Sequence, residues 1–317
     1  MASLLELDSN DCYLVNNVLK GELIITAFDL LKNEVAWQAM NHRGNEVPRL
    51  VAVQGQVEED GSFPIYRHPA DNSPPCLPFT PTVLYIKREV EKVLTHSLNH
   101  VLIQMYRDGN DAISEHSDKT IDVVKDSKIV NVSLGAQRTM VLRPKKSTAQ
   151  SAAKAAGEPT PDFGSPNYRR PIRIPLPHNS MVNTSNVHSD MNLNVNSKFI
   201  LGLKTNRYWL HAINRDKRPD VEKSEAELSP DTEGVRISLT FRCIGTFCTA
   251  DEKHIWGQGA TGKRREDAKP TTPKSPEYRE DRINLIRAFS KENQECNLDW
   301  DVIYGAGSDV LHLEGVE

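Results

Sequence analysis

The sequence lacks the features that would assign it to several specialised classes of protein. Its 317 residues contain no apolar run close to the roughly 18 residues that a membrane-spanning helix requires. Near the start, Glu6, Asp8 and Asp11 stand where a secretion signal has positive charge and then an unbroken apolar stretch. We therefore expect neither membrane association nor secretion.

Cysteine is scarce, and a strong charge of either sign is missing. The five cysteines are odd in number, and none forms the CxxC spacing of zinc ribbons and thioredoxin-like sites. Reduced thiols in a cytoplasmic or nuclear protein fit this pattern best. The formal net charge is only −4. Such mild acidity argues against a dedicated nucleic-acid binder but leaves room for a local basic patch.

Hydrophobic periodicity predicts two helices in the first third of the chain. Residues 20–40 carry apolar side chains at helical spacing. Thr80 and Pro81 have the properties of an N-cap and a first helical residue, so they open a second helix. The buried stripe of that helix is predicted to be Val83, Ile86, Val90, Val93 and Leu94.

Strand-like segments dominate the middle of the chain. They are residues 100–106, 128–134, 138–144, 172–176, 180–184, 198–203, 207–213 and 235–244. Many short strands with turn signals between them are typical of a sandwich or a barrel. Two helices ahead of an all-β core predict a mainly β, α+β fold in which the helices pack on one face of a jelly roll.

Composition divides the chain into three parts. We expect N-terminal helices and substrate-lid loops in residues 1–98, and a β core in residues 99–248 with inserts at 145–170 and 185–205. Residues 249–317 are expected to form a polar linker and a C-terminal docking segment. The stretches 145–170 and 251–282 lack periodicity and are rich in polar residues, so both are expected to be mobile.

One motif carries metal-binding chemistry. The stretch YRDGNDAISEHSD ends in His116 and Asp118, and two ligands one residue apart at a strand end can project to the same side. His211, in a later strand-like segment, can supply a third ligand. Two imidazoles and one carboxylate are the donor set of non-haem Fe(II) oxygenases, which leaves coordination positions open. A second HSD at 188–190 shows that the short motif also arises by chance, so a surface His and Asp remain the alternative.

Two arginines in a strand-like segment indicate an anion site. Arg236 and Arg242 are six residues apart, so on a strand they face the same way. An arginine that faces a core is costly unless it meets an anion, and a dicarboxylate would supply two carboxylates for these guanidinium groups. The alternative is an exposed strand face on which both arginines pair with acids of the 216–233 loop.

In order, spacing and residue type, these segments resemble the AlkB-like family of Fe(II)/2-oxoglutarate dioxygenases over residues 20–245. The matching segments are PRL (48–50), the region of Tyr66, the helix that opens at Thr80, HVLIQMYRDGNDAISEHSD (100–118), IVNVSLGAQRTMVLR (129–143), IPLPHNSMV (174–182), NRYWLHAI (206–213) and RISLTFR (236–242). The resemblance implies a double-stranded β-helix with N-terminal helices, in agreement with the strand pattern.

The resemblance also implies two cofactors and their ligands. The implied set is His116, Asp118 and His211 for Fe(II), and Arg242, Arg236, Tyr106, Gln104 and Ser238 for 2-oxoglutarate. Arg242 would meet the 1-carboxylate, while Arg236 and Tyr106 would hold the distal carboxylate. Gln104 and Ser238 stand where family members usually have Asn. Both changes stay polar, so binding of 2-oxoglutarate is expected to survive.

The implied reaction is hydroxylation of a substrate C–H bond through a ferryl intermediate, in which dioxygen is consumed and succinate and CO2 are formed. The residues expected to contact substrate are Arg49, Tyr66, Thr120 and Trp209. A small-molecule substrate is favoured, because Thr120 stands where repair members have an acidic residue that reads a flipped base.

Two alternatives stay open. Family membership and the basic residues around the 145–170 insert favour oxidative dealkylation of N-alkylated nucleobases in DNA or RNA. A non-catalytic scaffold on the same fold is the other alternative, but the intact ligand set and both arginines argue against it. The sequence leaves the oligomeric state open.

Overall fold

The structure, a computed structural model, describes residues 13–42, 44–71, 73–145, 171–183, 203–296 and 298–313. The α-helices in these ranges are α1 (Leu23–Glu34), α2 (Pro81–Glu91), α3 (Leu203–Tyr208), α4 (Glu225–Leu228), α5 (Arg279–Gln294) and α6 (Trp300–Tyr304). The strands are β1 (Tyr13–Asn16), β2 (Asn41–His42), β3 (Asn45–Glu46), β4 (Leu50–Gly55), β5 (Phe63–Pro64), β6 (Cys76–Pro78), β7 (His100–Tyr106), β8 (Ile113–His116), β9 (Val130–Gly135), β10 (Arg138–Pro144), β11 (Ile172–Leu176), β12 (Ser180–Asn183), β13 (Trp209–Ile213), β14 (Arg236–Arg242), β15 (Thr246–Cys248), β16 (His254–Gly257) and β17 (Lys269–Pro270).

The largest sheet has seven strands, in the order β1-β12-β9-β14-β7-β4-β6, and only the β4–β6 pair is parallel. Side chains on a strand alternate between faces, and β14 shows the consequence. Ile237, Leu239 and Phe241 pack in the main core with side chains of α1 and α2. The alternate residues, Arg236, Ser238, Thr240 and Arg242, line a cavity on the other face. The sequence RISLTFR therefore supplies one face to the core and the other to a site.

A four-stranded sheet, β11-β10-β13-β8, faces the polar side of the large sheet. Tyr106 of β7 packs in one apolar cluster with Met140, Leu176 and Ile213 of the smaller sheet, so the two sheets meet around this cluster. Two facing antiparallel sheets with helices outside the larger one form a double-stranded β-helix. The predicted class, mainly β with helices on one face of a jelly roll, is confirmed.

The chain after β14 folds back against the loop that follows β8. Strands β15, β16 and β17 form a third sheet with β5, and α5 packs Leu285 and Phe289 against Ile121. The prediction that residues 251–282 are mobile is therefore wrong. Strand β16 buries Ile255 and Trp256, and two apolar residues are too few to give a detectable period among charged neighbours.

Both predicted helices are present, with two corrections. Helix α2 begins at Pro81 after Thr80, but the Thr80 hydroxyl makes no capping bond and donates to Glu34 Oε1 at 2.7 Å. Val93 lies beyond the end of α2 and is 51% exposed, so its place in the buried stripe is wrong. The predicted strand 198–203 lies almost wholly outside the described residues.

Within the described ranges, no helix is long and apolar enough to cross a membrane. The cysteines of these ranges, Cys76, Cys243, Cys248 and Cys296, are all free thiols. The division of the chain after residues 98 and 248 stays a prediction.

Candidate active site

A cavity of about 680 Å³ lies between the seven-stranded sheet and the four-stranded sheet β11-β10-β13-β8. It is lined by alternate residues of β7 and β14, by the end of β8 and by β13. Apolar side chains that include Leu102, Ile129 and Met140 complete its wall. Its volume falls in the range of about 300–1,000 Å³ that is usual for small-molecule and cofactor sites.

His116 and His211 stand opposite each other on paired strands. Strands β8 and β13 are antiparallel, and their register pairs the two residues directly. The imidazole centroids are 4.2 Å apart. Nδ1 of His116 lies 2.8 Å from the carbonyl oxygen of Ser114. Because a carbonyl only accepts, Nδ1 carries the proton, and Nε2 is the nitrogen that can bind a metal.

Asp118 follows β8 and completes a three-residue cluster. One ligand atom from each of His116, Asp118 and His211 lies within 4.8 Å of the other two, which is close enough for a single ion. Asn206 accepts from the amide of Asp118 at 2.8 Å and donates to its carbonyl at 2.9 Å. Two imidazoles and one carboxylate at a cavity wall fit Fe(II) with open coordination positions.

The protonation states of the cluster suit metal binding. Burial lowers the pKa of His116 well below its usual value and also lowers the pKa of His211. Burial by itself would raise the pKa of Asp118, but the positive charge of Arg242 and the two imidazoles hold it below its usual value. The two histidines are therefore neutral imidazoles and Asp118 is an ionised carboxylate, which are the forms that metal ligation requires.

Arg236 is buried in the cavity wall, and among the described residues it has no carboxylate partner. It is 1% exposed. Its Nε and Nη2 donate to Ser133 Oγ at 3.0 and 2.6 Å, and its Nη1 has no partner there. Burial lowers the Arg236 pKa to about 10, so the group is still charged at neutral pH. An isolated buried charge is costly, and an anion in the cavity would offset that cost.

The polar residues around Arg236 are arranged to accept such an anion. Strand register places Ser238 beside Gln104, and both line the cavity. Nε2 of Gln104 is buried and has no partner among the described residues. The Tyr106 hydroxyl lies 3.5 Å from Gln104 Oε1, and the Tyr106 ring lies 5.0 Å from the Arg236 guanidinium carbon. Two unpartnered donors beside a phenol fit one carboxylate of 2-oxoglutarate.

Arg242 links the anion site to the metal cluster. Its Nη2 donates to Asp118 Oδ2 at 3.0 Å, and both side chains are buried. Its guanidinium lies over the ring of Tyr66 at 3.9 Å. Nε of Arg242 has no partner among the described residues, so it can donate to a second carboxylate. Arg236 and Arg242 thus line one cavity, as their six-residue spacing predicts.

Two of the four predicted substrate residues are in the cavity wall. Arg49 and Tyr66 line the cavity. Nη1 of Arg49 donates to the carbonyl of Ala112 at 3.0 Å, and its buried Nε has no partner among the described residues. The Tyr66 hydroxyl accepts from the amide of Lys119 at 3.0 Å.

Thr120 and Trp209 are not in the wall of the cavity. The amide and hydroxyl of Thr120 donate to the carboxylate of Glu292 from helix α5. Trp209 belongs to the apolar cluster of the smaller sheet that includes Leu142 and Ile174. Their sequence positions gave no sign of these partners, because both partner sets are remote in sequence.

Sequence reasoning also missed several residues that position the site. Asn206 and Ser133 lie inside the segments that carry the resemblance, and alternation along β9 was a usable signal for Ser133. Lys119 and Asn293 line the cavity as well. No sequence pattern marks Asn293, because helix α5 reaches the site only through tertiary packing.

Most of the predicted basic loop lies outside the described residues, as does the second HSD at 188–190. At its described edge, Arg143 pairs with Glu115 at 2.5 Å. Lys145 is buried, donates to the carbonyl of Glu292, and has its pKa lowered by burial to about 8. Lys145 therefore has its partner in α5, although it is one of the basic residues around the 145–170 insert that favour a nucleic-acid substrate.

His68 gives the cavity wall a testable pH dependence. Burial, and next the charge of Arg242, lowers the pKa of His68 from 6.5 to about 4. Between these values the unfolded chain binds a proton that the folded chain does not, so stability falls as pH drops from 6.5 to 4. In His68→Gln, urea unfolding should show a slope against pH that is shallower by up to about 1.4 kcal/mol per pH unit.

The matched control for His68 is His254→Gln, which changes an exposed histidine. This variant should keep the slope of the unaltered protein. Equal slopes for His68→Gln and the unaltered protein would contradict the assignment of a neutral, half-buried His68.

The chain is similar in sequence to known proteins. The model of the 2OG-Fe(II) oxygenase superfamily matches residues 11–242. The human protein "DNA oxidative demethylase ALKBH2" is 28% identical over 167 residues, which cover 53% of this chain and 48% of that protein. The bovine "Alpha-ketoglutarate-dependent dioxygenase alkB homolog 3" is 26% identical over 161 residues, 50% of each chain.

These alignments span about half the length of the curated relatives that the chain matches. Among solved structures, "The structure of OsALKBH1" superposes with a TM-score of 0.39 and 14% identity, and covers 74% of this chain and 98% of that chain. The matched region ends at residue 242, the last residue of β14, so helices α5 and α6 lie outside it.

Proposed function

Because the chain belongs to the 2OG-Fe(II) oxygenase superfamily and is AlkB-like, we propose that it is an Fe(II)- and 2-oxoglutarate-dependent dioxygenase that hydroxylates a substrate C–H bond. The observation that carries the proposal is the buried guanidinium of Arg236, which has no carboxylate partner among the described residues and lies in the same cavity as the cluster of His116, Asp118 and His211. A metal site and an anion site that share one cavity are what a chelating dicarboxylate co-substrate needs.

Each residue has a separate task in this proposal. His116, Asp118 and His211 hold Fe(II), and Arg242 holds the Asp118 carboxylate through its Nη2. Arg236 binds the distal carboxylate of 2-oxoglutarate, with Gln104 Nε2, Tyr106 and Ser238 beside it. Nε of Arg242 is directed to the 1-carboxylate.

When bound, Fe(II) with 2-oxoglutarate and dioxygen supplies the oxidising chemistry, and the co-substrate leaves as succinate and CO2. The protein contributes position and a dry environment. Apolar wall residues such as Leu102, Ile129 and Met140 exclude water from the reacting centre. The neutral imidazoles and the ionised carboxylate are already in their ligand forms, so metal binding requires no proton release from them.

For the substrate, we propose a small molecule. The support comes from Thr120, whose amide and hydroxyl are both engaged by Glu292 and which does not line the cavity. The cavity therefore has no acidic side chain at position 120 that could bind a flipped base. The second candidate, dealkylation of an N-alkylated nucleobase, is favoured by the similarity to the two AlkB homologues.

Succinate release separates the two substrate classes. Purified protein with Fe(II) and 2-oxoglutarate would be screened against pools of small metabolites and against alkylated oligonucleotides. We expect substrate-dependent succinate from the metabolite pools. Stimulation by an alkylated oligonucleotide that weakens steeply with added salt would instead support the nucleobase candidate, because phosphate contacts release counterions.

Arg236→Met should remove 2-oxoglutarate binding and leave Fe(II) binding in place. Loss of one partner of a buried charge pair costs about 2 kcal/mol or more, which corresponds to a Kd at least about 30-fold weaker. Anaerobic calorimetric titration measures both ligands separately. The fold should not be weakened, because the change removes an unpaired buried charge.

Arg215→Met is the matched control, because Arg215 also lines the cavity but is exposed. The affinity of the Arg215→Met variant for 2-oxoglutarate should equal that of the unaltered protein. Unchanged affinity in Arg236→Met would remove the anion-site assignment.

A further inference from the structure

The loop that carries Asp118 is held by hydrogen bonds to residues outside the region that the family model matches. We call residues 117–122 the metal loop, and we call residues 279–296 and 298–313, which contain α5 and α6, the C-terminal clasp. Oδ1 of Asn293, in the last turn of α5, accepts from the amide of Ser117 at 3.0 Å and from its hydroxyl at 3.1 Å. The same oxygen accepts from Nζ of Lys119 at 2.6 Å. One side chain therefore holds both chain neighbours of Asp118.

Glu292 extends the same attachment along the metal loop. Its carbonyl oxygen accepts from the Ser117 hydroxyl at 3.1 Å. Its carboxylate accepts from the amide of Thr120 at 3.2 Å and from the Thr120 hydroxyl. The Tyr304 hydroxyl of α6 donates to Oε2 of Glu292 at 2.7 Å and fixes that carboxylate in turn. The side chains of Glu292 and Tyr304 are buried, so these contacts are protected from water.

These contacts leave the metal loop little freedom. Asn206 fixes the amide and carbonyl of Asp118, and Arg242 fixes its carboxylate. The clasp fixes the residues on either side of Asp118. Groups that orient a metal ligand without touching the metal commonly change metal affinity by about 10–100-fold when they are removed.

We propose that Asn293, supported by Glu292, is a positioning residue of the metal site, so that the C-terminal clasp sets the orientation of Asp118. This inference rests on the proposed Fe(II) site. Asn293 acts through Ser117 and Lys119 and does not touch the metal. Fe(II) affinity in this chain consequently depends on Asn293 of helix α5, which lies 176 residues beyond Ser117.

The test is the affinity of the full-length protein for Fe(II), measured by anaerobic calorimetry for Asn293→Ala, with Asn284→Ala as control. Asn284 lies on the same helix and is exposed. We expect Asn293→Ala to weaken Fe(II) binding about 10-fold or more, and Asn284→Ala to leave it unchanged. Asn293→Asp keeps an acceptor oxygen for Ser117 and Lys119, so it should restore most of the affinity.

Thermal unfolding of the metal-free variants separates positioning from simple stabilisation. A lower Tm for Asn293→Ala with unchanged Fe(II) affinity in the folded protein would overturn the proposal. Ser117→Ala removes the hydroxyl that donates to Asn293 but keeps the backbone amide that also donates to it. It should therefore weaken Fe(II) binding by less than Asn293→Ala does. If the unaltered protein binds no Fe(II), the proposed function fails. If it binds Fe(II) and Asn293→Ala binds equally well, only the positioning role fails.

Discussion

Replacement of His211 by alanine is expected to abolish the proposed Fe(II)-dependent conversion of 2-oxoglutarate to succinate. His211 and His116 supply the two imidazoles of the cluster, and no further histidine, cysteine or carboxylate of the described chain joins it. With one imidazole gone, only two ligands remain. We expect a loss of more than about 100-fold, beyond the range seen when only an outer partner of a ligand is removed.

Anaerobic Fe(II) titration and succinate formation measure this loss together. His254→Ala, which changes an exposed histidine, is the control and should keep both properties. Far-UV circular dichroism checks that His211→Ala is folded. A folded His211→Ala protein that binds Fe(II) as tightly as the unaltered protein would remove His211 from the ligand set and with it the proposed chemistry.

Arg67→Met is expected to give the largest loss of stability. Arg67 pairs with Asp122 at the end of the metal loop, at 2.7 Å from Nη2 to Oδ1, and both side chains are almost fully buried. Its guanidinium also donates to the carbonyls of Gly259, Ser308 and Val310. Breaking a buried pair from one side leaves an uncompensated charge, which costs about 3–5 kcal/mol.

Urea unfolding measures this cost. Arg264→Met changes an exposed ion pair with Asp267 and should cost no more than about 1 kcal/mol. The double variant Arg67→Met with Asp122→Leu should recover part of the loss, because no charge is then left buried alone. If Arg67→Met lost no more stability than Arg264→Met, the buried pair of Arg67 and Asp122 would not make the expected contribution to stability.

The packing around this ion pair also explains one glycine. A Cβ on Gly259 would lie 2.5 Å from Asp122 Oδ1 and 2.7 Å from Arg67 Nη2. Only glycine allows its backbone carbonyl to approach Arg67 so closely. This constraint joins three segments that are far apart in sequence, and no local pattern around residue 259 reveals it.

Much of the fold followed from local rules. The strand-like segments RISLTFR and HVLIQMY are strands β14 and β7, and Arg236 and Arg242 share one face of β14 as their spacing predicts. Helix α2 begins where Pro81 permits it. Prediction failed where apolar residues were few, as in β16. It also failed for Val93, because the helix ended two residues before it.

Part of the candidate site was equally predictable from the sequence. His116 and Asp118 are neighbours in sequence, so their proximity at a strand end needed no tertiary information. The shared face of Arg236 and Arg242 came from the period of a strand. The identity of Thr120 shows that no acidic residue stands there, but its partner Glu292 lies 172 residues further along the chain and could not be predicted. Trp209 shares a strand with His211 yet packs in an apolar cluster.

The sequence by itself determined the candidate chemistry, because the donor types are read directly from it, and because the two-residue and six-residue spacings are local features of the end of β8 and of β14. The tertiary structure alone decided how that chemistry is held in place. It put His211 opposite His116 through strand register, left Arg236 in the cavity without a carboxylate partner among the described residues, and brought Asn293 and Glu292 onto the metal loop. Long-range packing creates these contacts, and no period of two or 3.6 residues can encode them.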